Sequence, residues 1–151
     1  MDAAQPYSRA RFPVVVAAIG GLGAVLQGML AWESLGGALD VNGASANGGK
    51  LIEILGLVAL GLALLRRTTT GVSALLLIVG AAITAIGIGN FITVSDYVNS
   101  FNEAAGSAAA LAGVAGPGFS VGLGIYVAIL SGVLVAGGGF LGLVEANLRM
   151  P

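Results

Sequence analysis

The chain has 151 residues, of which 57% are hydrophobic and only 9% charged, with 26 glycines and a mean hydropathy of +1.00. That composition describes an integral membrane protein and not a water-soluble domain. A formal net charge of −1 with no basic patch argues against nucleic acid as a partner. With no cysteine and no histidine in the sequence, thiol chemistry, disulfides, structural zinc and imidazole acid–base catalysis are excluded, and neither a metal nor a cofactor is expected.

Four runs reach membrane-spanning length, for which about 20 apolar residues cross about 30 Å of hydrocarbon. They are approximately Phe12–Trp32, Lys50–Leu65, Gly71–Val94 and Phe119–Val144. Their alternation with short connections predicts an all-α membrane protein, an antiparallel bundle of four transmembrane helices forming a single domain. The first run follows Arg9 and Arg11, as the apolar region of a signal peptide would. It is too long for one, and reads as an uncleaved first span. Within it Ala17, Gly20, Ala24 and Gln27 fall on one helical stripe.

The connection Glu33–Gly49 carries turn signals at Gly36-Gly37, Asn42-Gly43 and Asn47-Gly48-Gly49, which predict a small hairpin or an irregular cap. Its "DVNG" (Asp40–Gly43) has the opening of a calcium loop but lacks the later carboxylates and the closing glutamate. The second run is short, and needs Lys50 and Arg66 to snorkel outward from its ends. It also holds a carboxylate, Glu53, on a stripe with Gly56 and Ala63.

In the third run Gly80, Thr84, Gly87 and Asn90 share one stripe, while Ala81, Ala85 and Gly89 form another at four-residue spacing. The connection Asp96–Gly118 has an alanine-rich middle that predicts a short separate helix, broken at Gly116-Pro117-Gly118. The fourth run places Ser120, Gly124, Ala128, Gly132 and Ala136 at strict four-residue spacing, a flat ridge for a close helix contact. Ala81, Ala85 and Gly89 are its expected internal partner. The same ridge also suits self-association or docking to a larger complex. "VGLGIY" (Val121–Tyr126) follows no predicted strand and is better read as helix packing than as a phosphate loop.

Charge sets the orientation. Arg9, Arg11, Arg66, Arg67 and Arg149 all fall on one side, and the single lysine, Lys50, on the other. Both termini are therefore expected in the cytoplasm, with 33–49 and 96–118 as outer loops. Trp32 and Tyr97 then lie at the outer boundary, as interfacial anchors would.

Glu53 admits three readings: an interfacial pair with Lys50, a buried hydrogen-bond network with Gln27 and Asn90, or a ligand, proton or ion site. All three polar residues lie near the outer ends of their helices on faces otherwise made of small residues.

The layout as a whole resembles small, functionally uncharacterised four-span membrane proteins frequent in actinobacteria. The likeness rests on a first span ending in tryptophan, a Gly/Asp-bearing outer loop, the "LLRR" inner turn (Leu64–Arg67), an acidic second outer loop and "VGLGIYVAILSGVLVAGGGFLGL" (Val121–Leu143). It covers Phe12 to Val144, and implies the bacterial cytoplasmic membrane, with no activity or site residues. The claudin pattern of paired cysteines in the first outer loop is not matched, since the chain has none.

Two functions follow. The first is a non-catalytic interaction protein, a structural or accessory subunit that packs in the bilayer against copies of itself or other membrane subunits. The second is a small oligomeric channel or carrier using Gln27, Glu53 and Asn90. An enzyme is not expected, because one intramembrane carboxylate without a base, nucleophile or metal ligand assembles no catalytic constellation.

Overall fold

The computed structural model of the chain describes residues 12–35, 39–43, 47–65, 69–113 and 118–148. The five arginines that set the expected orientation lie outside them, as do Gly36, Gly37, Gly116 and Pro117. The described part is mostly helical, and three of its helices are long and apolar enough to cross a membrane.

Helix α1 (Phe12–Leu26) tightens into one 3-10 turn (Gln27–Met29) and stops at Leu30, whose φ of −91° and ψ of 151° are extended. Strands β1 (Ala31–Leu35) and β2 (Leu39–Asn42) form an antiparallel hairpin. Helix α2 (Asn47–Leu64) follows, then α3 (Thr70–Ala112), β3 (Phe119–Val121) and α4 (Leu123–Leu148). β3 pairs antiparallel with the other side of β1, giving a three-stranded sheet in the order β2-β1-β3.

The sequence reading is corrected in four places. The first span does not run to Trp32: that residue lies in β1, where its carbonyl accepts from Gly122 N–H at 2.7 Å, and strand pairing overrides an apolar composition that suits a helix equally well. The fourth span does not begin at Phe119, because Phe119–Val121 is the strand that completes that pairing. The fold is mostly helical, as expected, with a small three-stranded sheet added at one end. The helix that holds the third run does not stop at Val94 either, nor is there a separate short helix after Asp96. A single helix of 43 residues runs from Thr70, whose preceding residue Thr69 caps the Val72 N–H at 3.3 Å, to Gly113, which closes it in the left-handed conformation at φ 68°. No backbone break accompanies the turn to polar residues at Asp96.

Helix α4 lies between α1 and α3; α1 also packs on α2, and α2 on α3. The helices touch backbone to backbone. Gly20 sits against the Ser131 carbonyl and Val135 N–H, and Gly138 against the Pro13 carbonyl and Ala17. Gly80 faces the Ala136 N–H and the Gly132 carbonyl, Gly139 faces Leu77 and Ser73, and Gly21 faces Gly56 and Leu60. In each pair the contacts ascend one helix as they descend the other. No side chain at these glycines has room, which is how so little bulky core holds the helices together.

What core there is divides in two. At the sheet end Trp32, Ile52, Ile83, Val94, Val98 and Ile125 pack together, and at the opposite end Ala17, Ala59, Ala63, Leu76 and Val135 do. The large apolar side chains of α1, α2 and α4, such as Ile19, Ile54, Leu57, Leu130 and Phe140, point outward. Along α3 the exposed stripe reads Ile78, Ala81, Ala85, Ile88, Ile92, then Asp96, Asn99 and Glu103 at three- and four-residue steps. At about 1.5 Å per residue α3 is about 64 Å long, roughly twice the thickness of a bilayer core.

Candidate functional site

Gln27 is fully buried where α1 tightens toward the sheet. Its Oε1 accepts from the Trp32 indole Nε1 at 2.7 Å, and its Nε2 donates to the Gly49 carbonyl at 3.2 Å. One side chain thus ties the end of α1 to β1 and to the first turn of α2. Trp32 is 2% exposed, so the expected interfacial anchor is instead a buried donor. Tyr97, the other expected anchor, is exposed.

The glycines of the first connection, which the sequence reads as turn signals, also serve close approach. Gly43 lies against the Trp32 indole nitrogen and Gln27 Oε1, Gly49 against the Gly43 carbonyl, and Gly48 against the Asn90 amide. A side chain at Gly43 would enter the Gln27–Trp32 hydrogen bond itself.

The three polar side chains expected to meet are brought to the same end of the molecule, but each is engaged separately. Asn90 donates from Nδ2 to the Ile86 carbonyl of its own helix at 2.7 Å. Glu53 is half-buried, its carboxylate laid against Gly28 in the 3-10 turn, in the space that a Cβ there would take. Among the described residues no hydrogen bond or ion pair joins Glu53 to Gln27, Asn90 or Lys50.

Asn102 has a role that the sequence reading did not assign. Its Nδ2 donates to the Phe119 carbonyl at 3.0 Å and its Oδ1 accepts from the Phe119 N–H at 2.9 Å, so a side-chain amide substitutes for a neighbouring strand on the free edge of β3. The Phe101 and Phe119 rings meet edge to face beside it, with centroids 4.3 Å apart. A signal existed: Asn102 follows Val98 by four residues and Val94 by eight, on the face of α3 that is buried.

On the helix faces, Gly124, Ala128 and Gly132 of the predicted ridge are buried, with Ala136 half-buried. Gly132 meets Thr84 and Gly80, but Gly124 meets Trp32 and Ala31. The face of α3 that receives α4 holds Gly80, Thr84 and Gly87, from the stripe read in the sequence as leading to Asn90, and also Ser73. Ala81, Ala85 and Gly89, the expected internal partner, are exposed. The two stripes lie one residue apart, and since both are small only the three-dimensional contact distinguishes them. Ala81 and Ala85, with Thr84, Ala136 and Gly137, floor an open apolar groove of about 600 Å³ between Leu77 and Ile88 on α3 and Val133 and Phe140 on α4.

Among the described residues no group of three or more acidic, histidine or cysteine side chains is placed to hold a metal ion. Comparison with family models, with curated proteins and with solved structures finds no match.

Proposed function

We propose that this chain is a non-catalytic membrane protein of four antiparallel spans, a structural or accessory subunit whose partner packs on the outward face of α3 and α4. In this reading it resides in a bacterial cytoplasmic membrane with both termini inside, and is akin to the small actinobacterial four-span proteins that its layout resembles. The hydrocarbon edge at the sheet end falls between Ile92 and Asp96. That placement is supported by the exposed stripe of α3, which is apolar up to Ile92 and carries Asp96, Asn99 and Glu103 beyond it. The sheet and the last four to five turns of α3 then stand outside the membrane as one small folded cap.

The observation that carries the interaction reading is the groove. Lipid tails fill a rough helix surface readily, so a surface facing only lipid has no need of small residues. A groove floored by Ala81, Ala85, Ala136 and Gly137 admits the backbone of another helix at close range. A channel or carrier around Gln27, Glu53 and Asn90 has less support, because Gln27 and Asn90 are already committed to the Trp32 indole and to backbone carbonyls.

The test is the mass of the protein in mild detergent, for the parent and for Ala85→Leu, which fills the groove without touching an internal contact. The parent is expected as an oligomer or with a stoichiometric second subunit, and Ala85→Leu as a monomer of unchanged helicity. A parent that is monomeric and alone overturns the reading. For topology, single cysteines at Ser107 and Thr69 are expected to be labelled from outside and protected, respectively; the reverse pattern would invert the orientation.

A further inference from the structure

We draw no further inference here: the strongest candidate, the open apolar groove between α3 and α4, belongs to the interaction surface already proposed, and nothing in the structure shows which chain covers it.

Discussion

Where α4 meets α1 and α3, cohesion comes from the absence of side chains; where the helices meet the sheet, it comes from two amides. Gly80 and Gly138 let backbones approach until a carbonyl or N–H of the neighbouring helix takes the place of a Cβ. The nearby Thr84 hydroxyl bonds back to the Gly80 carbonyl of its own helix, at 2.9 Å, and does not bridge to α4. At the sheet end Gln27 and Asn102 each make two hydrogen bonds to groups distant in the chain or in another element. The difference follows from the surroundings. A helix satisfies its own backbone, so joining helices needs only close fit, whereas a three-residue edge strand and a buried indole leave donors and acceptors that a side chain must meet.

The largest expected effect breaks the first kind of contact. Gly80→Leu places a side chain where the Ala136 N–H and Gly132 carbonyl already stand, and neither helix can yield locally. The loss should exceed about 3 kcal/mol, the upper end for overpacking, and be read as failure to recover a monodisperse, helical protein. Ala85→Leu lies on the exposed face little more than one turn further along α3 and should leave thermal unfolding of the protomer unchanged. Equal tolerance of both would mean that the glycine contacts are not what joins α3 to α4.

Next comes the buried amide. Gln27→Leu retains an apolar fill but leaves the Trp32 N–H without its partner in a site sealed from water, while the Gly49 carbonyl keeps its place in the first turn of α2. A cost of about 2–3 kcal/mol is expected, since buried polar groups left unmet lose most of their desolvation energy. Trp32 is the sole tryptophan, so the same variant should shift its fluorescence and near-ultraviolet dichroism. An unchanged spectrum and midpoint would mean that the indole is held by packing alone.

Asn102→Ala tests the second amide and should cost less, about 1 kcal/mol, because the freed groups of Phe119 are only partly buried and water can replace the amide. Its signature is local: faster hydrogen exchange over Phe119–Gly122, with α1 and α4 unaffected. Slow exchange there in the variant would show that β1 pairing alone secures β3.

How much of this was legible follows the same division. The helical runs declared themselves by apolar length, and the first-loop hairpin by Asn-Gly and Gly-Gly pairs. The boundaries did not, because composition reports surroundings and not backbone. Leu30–Trp32 is apolar enough to extend a span yet leads into a strand, and Asp96–Ala112 is polar enough for a loop yet continues a helix. Small-residue stripes were found correctly as features but not assigned to faces, since Gly80 and Ala81 are adjacent and either series could meet α4. The Gln27 and Asn102 bonds join residues to partners up to 22 positions away, and no periodicity encodes such pairs.

Glu53 stands between the two kinds of contact and should give the smallest effect. It lies one turn beyond Lys50, about 4.5 Å further along α2, close enough to the proposed outer boundary for its carboxylate to reach headgroups and water by a rotamer change. A network with Gln27 and Asn90 predicts that Glu53→Leu costs about 1–2 kcal/mol while Glu53→Gln is tolerated. The geometry predicts otherwise: with Gln27 bonded to Trp32 and Gly49, and Asn90 to Ile86, neither amide depends on the carboxylate. Both variants should therefore stay within about 0.5 kcal/mol of the parent in thermal or denaturant unfolding, as partly exposed positions without a partner usually do. Gly28→Ala supplies the internal check. The nearest atoms to its new methyl all belong to the Glu53 side chain, so most of any cost should disappear in a Glu53→Ala background. Destabilisation by Glu53→Leu of more than about 1 kcal/mol would restore the network and make the carboxylate part of the sheet-end scaffold. Unchanged stability, together with a mass in detergent that depends on Glu53, would instead place the carboxylate at a partner's surface.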